Sequence, residues 1–291
     1  MKNLKKLMAV VLAVAMLATS LLTVTAAGDQ YKYLVEAQKL YDMGLYQGVS
    51  TTSFDPDLGS SLTREQGFTM LVRMFGGQSA AEALSNTEIN NTLSQFKDAS
   101  SISDWARPYV AFAVKEKMIQ GRPDGTIGPK DALLGKDYAT LILRALGYEV
   151  GADDYHVASA ILVDKGGLTA DMALKFNDKP LIRDDFVGIT FAAMNAKDTS
   201  GVSIIAALVE AGVVSEAKAL ANGLYTAEKN LADAKAAVAA LQAAANKDLT
   251  VEENIAAAEK LVEGTKAAVA KVEDVKLESD LAAAIAKIEA A

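Results

Sequence analysis

The chain has 291 residues, enough for two domains of ordinary size, and about half of them are hydrophobic. It contains no cysteine, which excludes disulfide bonds and thiolate metal sites. The formal charge of −8 opposes contact with a phosphate backbone and gives no electrostatic reason to bind nucleic acid.

Residues 1–27 have the three zones of a secretory signal peptide. A start that contains Lys2, Lys5 and Lys6 precedes an apolar run, and small residues then offer a cleavage site. An uncleaved membrane anchor is the alternative, but the run is near the lower limit for crossing a bilayer. We therefore expect a secreted mature chain with 26 basic and 37 acidic residues, a net charge of −11, and no membrane span. We see no sorting tail, so we expect no covalent anchor.

Two stretches of the chain, residues 44–76 and 117–147, align with each other. Each has an apolar pair and Gln-Gly, then an apolar-x-Pro turn, then an amphipathic helix that closes on an apolar residue, Arg, two more residues and Gly. A shorter third copy retains residues 181–194. We predict three helix–loop–helix copies at about 31–77, 96–148 and 155–196. Because one helix pair is too small to bury its apolar face alone, we expect the copies to pack together.

Local signals predict where these helices begin and end. Asp104 is placed to cap the leading helix of copy two, and Thr63 with Gln66 fits a capping box at the second helix of copy one. Gly48 and Gly121 are simply interpreted as helix C-caps.

A family resemblance then emerges from particular residues. The strings Phe96-Lys97-Asp98, Asp104-Trp105-Ala106, Gln120-Gly121, Asp124-Gly125-Thr126 and Pro129 resemble the S-layer homology (SLH) repeat. The Leu-Thr-Arg-Glu-Gln of copy one resembles that family's Thr/Ser-Arg-x-Glu signature. The resemblance covers residues 31–196. It implies an all-α fold in which three repeats form a pseudo-threefold bundle. It also implies a secreted protein, at the cell wall or S-layer surface, that binds a peptidoglycan-linked secondary cell-wall polysaccharide, typically pyruvylated, in grooves between the repeats.

The same resemblance implies a set of site residues. A fixed cation suits the pyruvate carboxylate, and arginine grips a carboxylate with two parallel hydrogen bonds. The signature arginine falls on Arg64 and Arg183, whereas copy two has Gly135 there with Lys136 beside it. The predicted polysaccharide-binding residues are Arg64, Arg183, Trp105, Asp104, Gly48, Gly121, Gly125 and Lys136. No copy has the full set, so we predict one or two working grooves. The alternatives are solvated first-turn arginines and a tryptophan that only packs.

The last third of the chain is rich in alanine. Residues 201–223 predict a linker helix, and from residue 224 apolar positions step by three and four, the pattern of a helical seam. Short connections favour a small three-helix bundle or an extended hairpin at 224–291. Thr250 and Glu253 form a second capping-box candidate. We expect this part to be a spacer or an assembly surface.

A search for catalytic residues finds no constellation, so we expect no enzyme activity, cofactor or metal. The sole histidine is His156, and the paired acids at 153–154 and 184–185 are adjacent, so their side chains diverge on a helix. The leading hypothesis is non-covalent anchoring of a secreted protein to wall polysaccharide. The alternatives are a self-assembling S-layer subunit that contacts other surface-layer proteins, and the anchor portion of a larger surface enzyme.

Overall fold

The computed structural model describes residues 31–50 and 52–290, so the predicted signal peptide lies outside the described residues. Within them the chain is all-α: it has helices and isolated β-bridges but no strand. The described chain divides into two compact units, residues 31–214 and 215–290. None of the described helices is both long enough and apolar enough to cross a membrane.

The helices of the first unit are α1 (Leu34–Asp42), α2 (Arg64–Met74), α3 (Gln78–Glu82), α4 (Asn86–Leu93), α5 (Arg107–Lys115), α6 (Gly135–Ala145), α7 (Ala152–Tyr155), α8 (Ala158–Asp164), α9 (Ala170–Phe176), α10 (Arg183–Ala193) and α11 (Ile204–Glu210). Those of the second unit are α12 (Glu216–Ala221), α13 (Thr226–Ala245), α14 (Glu252–Val269) and α15 (Val275–Glu289).

The predicted capping box at the start of α2 is confirmed. The Thr63 hydroxyl accepts from the Gln66 N–H, and the Gln66 Oε1 accepts from the Thr63 N–H at 2.9 Å. The predicted Asp104 cap is wrong, because α5 begins three residues later and the free N–H groups of Ala106 and Arg107 donate to the Ser103 carbonyl at 2.8 and 3.1 Å. The Ser103 carbonyl in the preceding turn thus accepts the hydrogen bonds that were expected at the Asp104 carboxylate.

The C-cap interpretation of Gly48 and Gly121 is also wrong. Helix α1 ends earlier, at Asp42, and is closed by Gly44, which has a φ of +81° and donates its N–H to Tyr41 O at 2.9 Å. In copy two the same place is held by Lys117, with a φ of +60°. Gly48 and Gly121 lie four residues beyond these closures, in the loops.

The segments that precede α2, α6 and α10 hydrogen-bond to one another in a closed cycle. The N–H of Leu62 donates to Leu181 O at 3.2 Å, that of Leu181 to Leu133 O at 2.8 Å, and that of Leu133 to Leu62 O at 3.0 Å. All three leucines are at most 1% exposed, so the cycle lies in the core. It satisfies backbone groups that could not otherwise be buried.

The leading helix of each copy packs on the second helix of another copy. Helix α5 packs on α2, α8 packs on α6, and α1 packs on α10. Each copy therefore completes the core of its neighbour, which explains why one helix pair would not fold alone. The grooves described below lie along these junctions.

Two parts of the first unit depart from the helix–loop–helix pattern. In copy three the expected loop contains α9, whose first turn is capped by Thr169, which accepts from the Met172 N–H at 3.3 Å. Between copies one and two the chain forms α3 and α4, and α4 opens with a capping box made by Ser85 and Glu88. Both caps follow ordinary sequence rules.

In the second unit, α13, α14 and α15 all pack on one another, so the three-helix alternative is the one that forms. The predicted seam is buried around Val238, Leu241 and Ala258. The Thr250 capping box is wrong: its hydroxyl donates to Asp248 Oδ1 at 2.7 Å, and α14 starts after Val251 without a side-chain cap. The stretch predicted as one linker helix, 201–223, forms two short helices, α11 and α12.

Candidate functional site

The first groove is a cavity of about 240 Å³ to which all three copies contribute. Copy one supplies Gly48 and part of α2, copy two supplies Trp105, and copy three supplies Arg183. Three of the predicted residues are thereby brought together from distant parts of the sequence. Trp105 is 51% exposed, so it does not serve as a core side chain and it offers a flat apolar face to the groove.

Arg183 begins α10, where its N–H donates to Ser60 O at 2.9 Å. Its side chain is 14% exposed, and its Nε lies 3.6 Å from Asp57 Oδ2, which is too long for a hydrogen bond. This buried Nε has no hydrogen-bond partner among the described residues. Burial raises the pKa of the nearby Tyr46, although a hydrogen bond from Arg183 and the Arg183 charge oppose that shift, so the phenol is neutral at pH 7. The guanidinium retains hydrogen-bonding capacity for an anion.

A second arginine, Arg73, lines the first groove and was missed in the sequence analysis. It follows Arg64 by nine residues, or two and a half turns at about 3.6 residues per turn, so the two side chains leave opposite sides of α2. Its guanidinium stacks over the Tyr109 ring at 5.2 Å, and the Tyr109 hydroxyl donates to Glu82 at 2.6 Å. The Nε of Arg73 also lacks a partner in the described part of the chain. The repeated apolar-Arg-x-x-Gly ending was the signal that could have identified it.

The second groove is larger, about 800 Å³, and is built in the same way one copy further along. Copy one supplies Arg64, copy two supplies Gly121 and α6, and copy three supplies Tyr155 and His156. Arg144 of α6 holds the position that Arg73 holds on α2, and burial lowers its pKa. The second groove is therefore a variant of the first, with different aromatic groups.

Arg64 differs from Arg183 because a carboxylate already pairs with it. Its Nη1 lies 2.8 Å from Asp137 Oδ1, with both side chains 10% exposed, and its Nε donates to Ile127 O at 3.1 Å. Asp137 also accepts from the Tyr155 hydroxyl at 3.0 Å. Burial, together with the Asp137 charge, raises the pKa of Tyr155 to about 12. Arg64 is 8% exposed, so the alternative of a solvated first-turn residue is wrong for it.

The two loop glycines are required by close backbone approach. Gly48 has a φ of +67°, and a Cβ there would lie 2.1 Å from Asp55 O. Gly121 has a φ of +76°, and a Cβ would lie 2.6 Å from the Phe96 ring. Since both conditions disfavour any side chain, these glycines bring the loop backbone to the edge of each groove.

The position in copy two that aligns with Arg64 and Arg183 is Gly135, which carries no cation. A Cβ on Gly135 would lie 2.0 Å from Phe176 O, so no side chain fits there. Lys136, which was predicted to substitute as a point charge, instead pairs with Asp178 at 2.5 Å and lies 5.3 Å from the centre of the Tyr155 ring. Lys136 is not among the residues that line the two grooves.

Asp104 and Gly125 were also predicted site residues, and neither lines these two grooves. Asp104 is exposed on the surface before α5. Gly125 has a φ of +83° and closes a turn, with its N–H donating to Arg122 O at 2.9 Å and its carbonyl accepting from the Lys97 N–H at 2.9 Å.

Glu65, next to the signature arginine, links two copies. It is 3% exposed and accepts from the N–H of Ser103 at 3.0 Å, from its hydroxyl at 2.9 Å, and from Lys130 Nζ at 2.5 Å. Burial alone raises the pKa of Glu65, but these hydrogen bonds outweigh it and hold the pKa below its usual value. Asp184 acts similarly in copy three, accepting from the N–H of Tyr33 at 2.8 Å.

Comparison with known families supplies the context for these grooves. Residues 95–139 match the model of the S-layer homology domain. The chain contains an S-layer homology domain. The matched stretch includes Trp105 and Gly121, and it extends to the start of α6 with Asp137.

The SLH-containing chain is also similar to named surface proteins. It is 31% identical to a cell surface protein of Thermoanaerobacter kivui over 156 residues, which are 51% of this chain and 19% of that protein. It is 30% identical to a surface layer protein of Brevibacillus choshinensis over 112 residues, 38% of this chain and 9% of that protein. It is 32% identical to an amylopullulanase of Thermoanaerobacterium thermosulfurigenes over 121 residues, 41% of this chain and 6% of that enzyme. The chain spans a fifth or less of the length of each.

These matches support an SLH-domain protein that is secreted to the cell wall or surface layer. They support a role in wall anchoring or in a surface layer. One of the matched proteins is named as an enzyme, and the match covers 6% of its length.

Proposed function

We propose that this protein anchors itself non-covalently to the cell wall by binding an anionic, pyruvylated secondary wall polysaccharide in its grooves. The observation that carries the proposal is the first groove, where Arg183, Trp105 and Gly48 converge from three copies. A guanidinium with an unpartnered Nε suits a carboxylate, and an exposed indole suits the apolar face of a sugar ring.

The proposed arrangement of the three copies is a pseudo-threefold bundle. The closed cycle of hydrogen bonds between Leu62, Leu133 and Leu181 supports it, as does the cyclic packing of each leading helix on another copy's second helix. In this arrangement the third groove lacks its cation because Gly135 cannot carry a side chain. We therefore propose two working grooves.

The domain roles follow from the same proposal. We propose residues 28–200 as the anchor and residues 224–291 as a helical spacer. Residues 201–223 connect them, with α11 belonging to the first compact unit and α12 to the second. The three-helix packing of the second unit supports a self-contained spacer. Alanine makes up five of the ten buried residues in its two described core clusters.

Sedimentation with wall sacculi tests the proposed function. The chain without its signal peptide should sediment with purified sacculi and should stay in solution when hydrofluoric acid has removed the secondary polymer. Equal retention by stripped and intact sacculi would contradict the proposal.

A second candidate is a self-assembling surface-layer subunit, favoured by similarity to a protein named surface layer protein. Light scattering distinguishes the two. A simple anchor stays small without wall material, whereas a lattice subunit grows with concentration.

A further inference from the structure

Two polar side chains of α6 line the second groove without a partner. Thr140 is 4% exposed, and its Oγ1 has no hydrogen-bond partner among the described residues. Arg144 lines the same groove, and its buried Nε also lacks a partner within the described chain. The two residues are four positions apart on one helix, so their side chains are neighbours on one face of it.

Arg144 is a cation without a counterion. It forms no ion pair with any described residue, and its Nη2 donates to Val150 O at 3.0 Å. Glu116, Glu149 and Asp154 line an adjoining cavity together with Arg144, but none of them pairs with it. Burial lowers the pKa of the Arg144 guanidinium. A charge that is partly buried and unpaired is costly, and an anion bound beside it would offset that cost.

The other arginines that line the second groove already have carboxylate partners. Arg64 Nη1 lies 2.8 Å from Asp137 Oδ1, and Arg122 Nη1 lies 2.6 Å from Asp131 Oδ2. These pairs do not exclude an anion from the groove. They leave Arg144 as the guanidinium, among the described lining residues, whose charge is not already balanced by an acid of the protein.

The same two positions are engaged within the protein in copy one. The Thr69 hydroxyl, which corresponds to that of Thr140, donates to Glu65 O at 3.0 Å. Arg73, which corresponds to Arg144, stacks over the Tyr109 ring at 5.2 Å. The unengaged pair is therefore a feature of the second groove and not of the repeat as such.

Copy three lacks both side chains. The corresponding residues of α10 are Gly188 and Ala192. A Cβ on Gly188 would lie 2.5 Å from the Tyr33 ring, so an aromatic side chain of copy one fills this place. The copy that has no room for a ligand here thus has neither the hydroxyl nor the guanidinium.

We propose that Arg144 and Thr140 form the carboxylate-binding site of the second groove. Arg144 donates to the carboxylate of a wall sugar, and Thr140 donates to a neighbouring ketal or ring oxygen. Arg64 then acts as a positioning residue, which holds Asp137 and through it the Tyr155 hydroxyl. The inference rests on the proposed function, and it assigns the ligand contact in this groove to residues outside the Thr/Ser-Arg-x-Glu signature.

Isothermal titration with two small probes tests the inference. One probe is a methyl glycoside whose hexose carries a pyruvate ketal, and the other has a carboxamide in place of its carboxylate. The proteins are the chain without its signal peptide, Arg144→Gln, Arg183→Ala and the double variant. Arg107→Gln is the matched control, because Arg107 donates to Ala99 O and Asn90 Oδ1 and lines neither groove.

We expect the wild type and Arg107→Gln to bind two equivalents of the ketal probe, each single groove variant to bind one, and the double variant to bind none. The lost site should be weakened about 10-fold or more, the loss of one charge-assisted contact. Arg144→Gln should leave binding of the carboxamide probe nearly unchanged, since that probe has no charge for the guanidinium to meet.

A second variant tests the hydroxyl. Thr140→Val in the Arg183→Ala background should weaken the remaining site about 2- to 12-fold for both probes, the loss of one neutral hydrogen bond. It should not lower Tm, because it removes a buried hydroxyl that has no partner in the described chain. A loss of affinity without a loss of stability is not expected of a residue that only packs.

The outcomes separate the inference from the proposed function. Two equivalents bound by Arg144→Gln at wild-type affinity would overturn the inference and leave the proposed function intact. A wild type that binds one equivalent, lost in Arg183→Ala, would do the same, as would an equal loss of both probes in Arg144→Gln. If Arg144→Gln does not fold, unchanged affinity in Thr140→Val overturns the inference. If the wild type does not bind the ketal probe at all, the proposed function and the inference are both wrong.

Discussion

The two signature arginines should separate folding from binding when each is replaced by alanine. Arg64 is committed to contacts within the protein, whereas Arg183 keeps an unpartnered Nε. Arg64→Ala should therefore lower stability strongly, and Arg183→Ala should lower wall retention while the fold persists.

The magnitudes follow from burial. Arg64→Ala leaves Asp137 with 10% exposure and without its cation, a change worth about 3–5 kcal/mol. For a unit of this size that corresponds to a fall of about 10 °C in Tm. Arg183→Ala removes a 3.6 Å contact to an acid that is 36% exposed, worth about 0–1 kcal/mol and a few degrees at most. Loss of one charge-assisted contact to a ligand carboxylate costs about 1.5–3 kcal/mol, roughly 10- to 150-fold in affinity.

Two measurements provide the readouts. Thermal melts followed by circular dichroism give the stability of each variant, and sacculus sedimentation at about 20 °C below each midpoint gives its wall retention. Arg64→Lys is the matched control, since it keeps the charge beside Asp137 and should recover most of the stability. The reasoning is refuted if Arg183→Ala is the less stable variant, or if Arg64→Ala melts within about 2 °C of the wild type.

Three further predictions concern the fold. Glu65→Gln should lower Tm at pH 7 and should lower it much less at pH 3. The reason is that a carboxylate with a depressed pKa stabilises the fold above its unfolded pKa of about 4.3 and loses that contribution as the pH falls. An equal fall in Tm at both pH values would contradict this. Lys117→Gly should stabilise by about 1 kcal/mol, because a φ of +60° is strained for a side chain, and an unchanged urea midpoint would count against it. Gly135→Ala should destabilise by about 3 kcal/mol, because its Cβ would lie 2.0 Å from Phe176 O. Its control, Gly264→Ala, meets nothing within 4 Å and should stabilise the helix slightly in the same melt.

Much of the local structure could be predicted because it is encoded over short spans. The box at Thr63 and Gln66 and the seam of the C-terminal helices both depend on residues three or four apart. The Asp104 cap failed for a tertiary reason: the chain before α5 is held by Glu65 through Ser103, so the helix starts later than its own sequence indicates.

The site was less predictable because its parts come from different copies. The family resemblance identified Arg183, Trp105 and Gly48, which the structure brings together. It could not show that Arg64 is already paired, because Asp137 lies 73 positions away and meets it only after the copies have packed. Arg73 was missed because it lies on the side of α2 opposite to Arg64. Arg73 lines the first groove and Arg64 lines the second, an assignment that only the folded structure gives.

The measurement that tests the central claim most directly is retention on sacculi before and after mild acid hydrolysis of the pyruvate ketals, which removes the carboxylates and leaves the polymer on the wall. If the first groove holds an anionic sugar through Arg183, retention of the wild type should fall on ketal-free sacculi at least to the level of Arg183→Ala on intact ones. Undiminished retention of the wild type on ketal-free sacculi would contradict the account.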